Sequence, residues 1–264
     1  MVIKKRIFII GGHLTPALAL IDELEKLGDW DIFFVGRKYS IEGDKTLSIE
    51  YRLIKERNLL FLPLTTGRLQ RRFTIHTLSS LLKIPYGFFQ SLIYLIKYKP
   101  AIIFSFGSYL AFPICIAGFI LNIPIVTHEQ TTTAGLANKI IGLFAKKIFI
   151  SYPSSQKFFP KKKTIITGNL LRKEIWDSLA ISSWQKPIGH PLIYVTGGSL
   201  GAHTINLMVG EILNQLLESF YIIHQTGESY NAKDFEDYEI RRINLDPRLK
   251  NKYGADFDHR PGFD

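Results

Sequence analysis

The sequence predicts an α/β protein made of two Rossmann-like, doubly wound parallel-sheet domains, the second of them truncated. Two observations carry that expectation. Short runs of β-branched and aromatic residues alternate with amphipathic segments, the spacing that strand–helix–strand units require. The alternation lapses near residues 168–190 and then restarts as strand, glycine turn, helix and strand. The domains are accordingly placed at 1–167 and at 168–264, the latter including the linker.

In the first domain the strands fall at "RIFII" (6–10), "DIFFV" (31–35), "LLFLP" (59–63), "AIIFSF" (101–106), "PIVTH" (124–128), "KIFIS" (147–151) and "KTIIT" (163–167). Helical period marks "PALALIDELEKL" (16–27) and "TAGLANKIIGLFAK" (133–146). No charged residue occurs from Pro100 through Thr127. Pro100, Pro113 and Pro124 punctuate that run, so it reads as strand, glycine turn, buried helix (113–121) and strand rather than as a membrane span. The apolar run near the start is too short for a signal peptide. Between Arg68 and Lys99, Leu78, Leu81, Leu82, Phe88, Phe89, Leu92 and Ile96 follow helical spacing and suit a core face. The reading there is a helix pair broken at Pro85, or an apolar patch beside Arg68, Arg71 and Arg72 that rests on a membrane surface.

The second domain opens with "PLIYVTGGSLGAHTINLMVGEILNQLLESFYIIHQTG" (191–227) and shows two strands. A doubly wound domain needs more, and the open edge would expose apolar surface. The expectation is therefore an incomplete domain, or one whose edge is covered by a partner chain.

Composition bounds the function. Hydrophobic residues make up 46% and charged ones 21%, a globular balance. A single cysteine, Cys115, excludes an internal disulfide and a cysteine-based zinc site, and its apolar neighbours suggest an inert buried thiol in a cytoplasmic chain. Residues 1–172 hold 24 Lys+Arg against 10 Asp+Glu, a net +14, whereas residues 173–264 hold 9 against 13, a net −4. An anionic partner is thus expected for the first half, nucleic acid and an anionic membrane surface both being candidates on charge alone.

Three turns at strand ends could carry chemistry: "IIGGHLTPA" (9–17), "FSFGSYLAFP" (104–113) and "VTGGSLGAH" (195–203). Each can present backbone N–H groups and a helix N-terminus to an anion. No G-x-G-x-x-G follows either domain's first strand, which argues against a nicotinamide enzyme. Together with "THEQTTTAGLANK" (127–139), "TGNLLR" (167–172) and "HQTG" (224–227), these turns resemble the MurG family, from about residue 6 to about residue 227.

That resemblance implies a GT-B fold and an inverting glycosyltransferase. Such an enzyme moves N-acetylglucosamine from UDP-GlcNAc to undecaprenyl-diphosphate-linked N-acetylmuramoyl-pentapeptide in peptidoglycan precursor synthesis. It implies that Gly11, Gly12, Gly107 and Ser108 cradle the acceptor diphosphate, and that Gly198 and Ser199 meet the donor together with Arg172. His13 is the first choice for the base that deprotonates the acceptor hydroxyl and Glu129 the second, with Thr131 beside it in the "HEQ" motif. No cofactor and no metal are expected, because helix N-termini and an arginine can stabilise departing UDP. The resemblance places the chain peripherally on the cytoplasmic face of the bacterial membrane, with no nucleic-acid partner. The apolar patch beside the arginines, with the charge asymmetry, gives Arg68, Arg71, Arg72, Ile75, Lys83 and Tyr86 as the contacts.

The chain departs from the family pattern at Ser108 (usually glycine), Thr131 (asparagine), Leu170 (proline) and in "FII" ahead of the first turn. The family's later donor-binding segment has no counterpart here, so weak donor binding is expected. The alternative expectation is a noncatalytic remnant, or one part of a split UDP-sugar transferase that needs a partner chain.

Overall fold

The computed structural model describes residues 4–39, 47–67, 76–173, 175, 190–197 and 201–226, with backbone alone for 76–82. Arg68, Arg71, Arg72, Ile75, Gly198, Ser199 and the side chains of Leu78, Leu81 and Leu82 lie outside the described residues. Two compact units emerge, Met1–Ile181 and Ser182–Asp264.

The first unit is built on β1 (Lys5–Ile10), β2 (Trp30–Gly36), β3 (Leu60–Pro63), β4 (Ile102–Ser105), β5 (Ile125–Glu129), β6 (Lys147–Ile150) and β7 (Thr164–Ile166). They form a seven-stranded sheet in the order β3-β2-β1-β4-β5-β6-β7, with every pair parallel. Central strands of such a sheet are covered on both faces, which is why β1 ends in an unbroken apolar run: Phe8, Ile9 and Ile10 have no solvent exposure. The helices are α1 (Leu14–Leu27), α2 (Ile49–Glu56), α3 (His76–Tyr98), α4 (Ser108–Ile120) and α5 (Leu136–Phe144). One core layer gathers Phe8, Ile10, Phe33 and Val35 under Leu95 of α3, Ile114 of α4 and Ile141 of α5. The opposite layer gathers Ile7, Ile9 and Phe34 under Leu18 and Ile21 of α1 and Ile54 of α2. The strand order reverses direction between β1 and β4, so the loops after those two strands mark the switch point at the carboxyl edge.

Two local expectations need correction. The stretch 76–98 is one continuous helix that runs through Pro85 rather than a pair broken there. Proline removes one helical hydrogen bond at a cost of about 3 kcal/mol; burial of Leu95, with Phe88, Leu92 and Tyr98 packed on the sheet, outweighs it. Phe89 and Ile96 are not core residues: they are 62% and 58% exposed, and Ser91 and Leu95 occupy the inner face. The buried helix after β4 likewise starts at Ser108 and takes Pro113 into its body.

After β7 the chain stays with the first unit: Leu170 packs on the layer that holds Ile7 and Val126. The second unit shows β8 (Leu192–Thr196), α6 (His203–Ser219) and β9 (Tyr221–Gln225), the strands pairing in parallel with Leu192 opposite Tyr221. Buried Asn206 in the first turn of α6 donates to the Thr226 carbonyl at 2.9 Å, tying the helix to the end of β9.

Candidate active site

In the first unit the two glycine turns, His13 and the HEQ loop converge on the carboxyl edge of the sheet, whereas Lys83 and Tyr86 lie on α3 and Cys115 is buried in α4. β1 delivers Gly11, Gly12 and His13. The Gly11 N–H donates to the Val35 carbonyl at 2.9 Å, which continues the β1–β2 ladder into the turn. β4 delivers Phe106, Gly107 and Ser108, the Phe106 N–H reaching the Ile10 carbonyl at 3.3 Å. The two turns touch. A Cβ on Gly12 would stand 2.8 Å from the Gly107 carbonyl oxygen and 2.7 Å from the Ser108 Cβ, so only glycine permits this approach. Gly107 has φ 81° and ψ −146°, a conformation reserved for glycine, and Ser108 follows at φ 72°.

The paired turns end in two helix N-termini that lack side-chain caps. His13 is the N-cap residue of α1 but its side chain makes no capping bond, and Gly107, the N-cap residue of α4, has none to give. Neither first turn holds an acidic residue. The Gly107 N–H itself donates to Ser105 Oγ at 3.0 Å, but no N-cap side chain bonds the first-turn amides of either helix, which are left to a ligand or water, and both dipoles favour an anion between them. The exposed His13 ring has its pKa drawn below the ordinary imidazole value by partial desolvation, an effect the Glu129 carboxylate opposes.

β5 delivers His128, Glu129 and the loop through Thr131. Glu129 is 3% exposed and both carboxylate oxygens are engaged. Oε1 accepts from the Thr131 N–H at 3.1 Å and lies 2.7 Å from the Thr131 hydroxyl. Oε2 accepts from the Gly135 N–H at 3.0 Å and from Asn138 Nδ2 at 2.9 Å. This carboxylate folds its own loop onto the start of α5. His128 is buried against Phe106, with Nε2 3.3 Å from the Gly168 carbonyl and 3.4 Å from Ser151 Oγ. Burial pushes its pKa down, against the Gly168 carbonyl and the Glu129 charge. His128 therefore ties β5 to the segment carrying Arg172, whose Nε is buried without a hydrogen-bond partner among the described residues.

Asn138, which the sequence reading passed over, joins these parts. Its Oδ1 accepts from the Thr127 hydroxyl at 2.9 Å, Nδ2 also reaches the His128 carbonyl at 3.2 Å, and its amide lies against Gly107. A signal was present: Asn138 sits in helical phase with Ala134, Ile141 and Ala145, a polar residue on an apolar face. Glu50, whose carboxylate lies beside Gly11 and accepts from the Arg37 N–H at 2.6 Å, was also passed over.

The comparisons with known proteins speak first to class. The glycosyltransferase family 28 N-terminal domain matches residues 10–150, and the glycosyltransferase family 28 C-terminal domain matches residues 192–250. The glycotransferase of kitacinnamycin superposes with a TM-score of 0.59 at 15% identity over 86% of this chain and 67% of that one, a likeness of fold. A Clostridium botulinum (strain 657 / Type Ba4) protein, named UDP-N-acetylglucosamine--N-acetylmuramyl-(pentapeptide) pyrophosphoryl-undecaprenol N-acetylglucosamine transferase, is 33% identical over 263 residues. That match covers 97% of this chain and 68% of the relative. The crystal structure of Acinetobacter baumannii MurG gives a TM-score of 0.55 at 25% identity over 89% of this chain and 62% of that one. The chain belongs to glycosyltransferase family 28 and, within it, to the MurG family. It spans about two thirds of the length of the relatives it matches.

Proposed function

We propose that the chain is a UDP-GlcNAc-dependent glycosyltransferase that adds N-acetylglucosamine to the undecaprenyl-diphosphate-linked N-acetylmuramoyl-pentapeptide of peptidoglycan synthesis. The observation that carries the reading is the meeting of two uncapped helix N-termini at the switch point, with an imidazole standing at one of them. The acceptor diphosphate lies across the Gly11–Gly12 and Gly107–Ser108 turns. His13 takes the proton of the acceptor hydroxyl, whose oxygen attacks the anomeric carbon as the bond to UDP breaks, and the configuration there inverts. A neutral imidazole is needed at the start, and the lowered pKa supplies one at neutral pH. Glu129 keeps the HEQ loop and His13's electrostatic surroundings in place. Arg172, with Gly198 and Ser199, receives the donor, and the guanidinium stabilises departing UDP without a metal ion.

The enzyme works at the cytoplasmic face of the membrane, as a peripheral protein, and so serves the cell wall and cell shape. The outward face of α3 supports this: Tyr86, Phe89, Ile93 and Ile96 recur at helical spacing with between 58% and 63% exposure, flanked by Lys83 and Lys97. Among the described residues no helix is long and apolar enough to cross a membrane. Arg68, Arg71, Arg72 and Ile75, which lie outside the described residues, are proposed as further contacts from their place in the sequence just before α3.

The test is transfer of labelled N-acetylglucosamine from UDP-GlcNAc to lipid-linked muramoyl-pentapeptide in vesicles. Transfer that falls by about 10²–10⁴ in His13→Ala is expected. Transfer that His13→Ala leaves unchanged would remove His13 as base, and absence of transfer would remove the reading itself.

A further inference from the structure

α3 runs against the direction of the strands, and its contacts show how far it reaches. At its end the Tyr98 ring lies beside Phe8 and Phe33, and the Tyr98 carbonyl accepts from Arg6 Nη1 at 2.8 Å, near the start of β1. Further up the helix, Gln90 meets the opposite end of the sheet. Its Nε2 donates at 2.9 Å to the carbonyl of Pro63, the last residue of β3, and its Oε1 accepts from the Thr65 N–H at 3.0 Å. The Tyr94 hydroxyl donates to the same Pro63 carbonyl at 2.8 Å. Gly87 lies closer still to this loop: a Cβ there would stand 2.8 Å from the Thr65 carbonyl oxygen and 2.6 Å from the Thr66 Cβ, so only glycine fits. The span from Gln90 to Tyr98 thus covers the depth of the sheet, and the helix before Gly87 stands past the carboxyl edge. At about 1.5 Å per residue, His76–Tyr86 extends roughly 16 Å beyond it.

The stripe proposed to meet the membrane, Tyr86, Phe89, Ile93 and Ile96, is on this same helix, and Gln90 directly follows Phe89. A helix lying in the interface fixes the plane of the bilayer relative to itself. The joint between α3 and the end of β3 then fixes the carboxyl edge, and with it the glycine turns, relative to that plane. A lipid-linked acceptor carries its diphosphate at the bilayer surface, at a depth its own tail sets, so the turns must stand at a matching height and angle. A misplacement on the order of 1 Å is enough to slow a reaction that depends on position. Apolar packing of Leu92, Leu95 and Tyr98 holds the helix on the sheet, but such packing is not directional. The two hydrogen bonds of the Gln90 amide, made to two points of one loop, are directional. We infer that Gln90 is a positioning residue, its amide setting the membrane-facing helix at the angle from which a bilayer-borne acceptor reaches the α1 and α4 N-termini. The inference rests on the transfer reading and on α3 as the membrane contact.

The experiment compares the full chain with two variants. Gln90→Met keeps the length of the side chain without its hydrogen bonds, and Gln90→Glu keeps an acceptor for the Thr65 N–H. KM is measured for the lipid-linked acceptor in anionic vesicles and for a short-chain, water-soluble analogue of it, with thermal midpoints recorded. Gln90→Met is expected to raise the vesicle KM about tenfold and leave the short-chain KM unchanged, because the glycine turns have their own ties to β1 and β2. Gln90→Glu should fall between. The midpoint should move by no more than a few degrees, since Tyr94 still pairs the Pro63 carbonyl and the Thr65 N–H can turn to water. A merely structural residue would move both KM values together. That result, or an unaltered vesicle KM, overturns the inference and leaves the transfer reading standing. Spin labels on Leu27→Cys and Tyr86→Cys, with Cys115 buried out of reach, read the joint directly. One narrow distance is expected in the parent and a broadened one in Gln90→Met, and an unaltered distance overturns the inference. If the parent transfers to neither acceptor, the transfer reading fails, and the distance alone decides: broadening in Gln90→Met supports the joint and its absence overturns it.

Discussion

His13 stands at a helix start without bonding to the helix, so its imidazole lone pair is not consumed by structure. Its pKa lies below the ordinary imidazole value, so the proposed base starts neutral near pH 7 and the acid limb of kcat/KM should fall below about 6.5. Glu129 raises that pKa; Glu129→Gln should move the limb to still lower pH while reducing the rate through loss of loop order. A pH–rate profile of both proteins checks this, and a limb that shifts upward contradicts the coupling. Ser108 is a second residue-scale case. It holds φ 72°, a left-handed conformation that costs a non-glycine residue on the order of 1 kcal/mol. Ser108→Gly should therefore raise stability by about that amount, read as a higher thermal midpoint, offset in part by the greater freedom of glycine in the unfolded chain. The sequence showed Ser108 as a departure from the family's glycine, but the strain itself is visible only in the backbone. The three-turn pattern was legible because glycines after strands are local signals. The role of Glu129 was not, because four donors converge on it from loop and helix positions that no spacing rule connects.

Among the elements, α3 carries the clearest consequence. Its inner face packs Leu95 against the sheet while Phe89, Ile93 and Ile96 point outward, so charge on the outer face leaves the core untouched. Phe89→Glu and Ile93→Glu should each weaken binding to anionic lipid vesicles by tenfold or more, since burying such a side chain is worth about 1.5–3 kcal/mol. Sedimentation with vesicles measures it, and unchanged thermal midpoints show that folding is intact. Helical period in 76–98 was legible from residue spacing. Its phase was not, because both faces are rich in large apolar residues and periodicity names a stripe without saying which stripe meets the sheet. Pro85 misled for a related reason: the local cost of proline is fixed, whereas the packing that overrides it is not local.

At the scale of the whole molecule, charge is divided along the chain. No acidic residue occurs between Glu129 and Glu174, and the first 172 residues carry a net +14. Vesicle binding should therefore weaken steeply as salt rises, because each lysine or arginine near an anionic surface contributes about 1 kcal/mol that is screened within roughly 8 Å at physiological ionic strength. Binding that persists at 1 M salt would assign the contact to the apolar stripe alone. The seven strands of the first unit, the glycine turns after β1 and β4 and the parallel sheet could be read from the residues, since each follows from short-range periodicity and turn chemistry; α2 and the unbroken course of α3 through Pro85 could not. The order β3-β2-β1-β4-β5-β6-β7 could not, nor could the contact of Gly12 with Gly107 or the approach of Arg37 to Tyr109. Those are set by which strands lie side by side, a choice made by packing between segments tens of residues apart, and it is that choice that turns the glycine turns after β1 and β4 into one site.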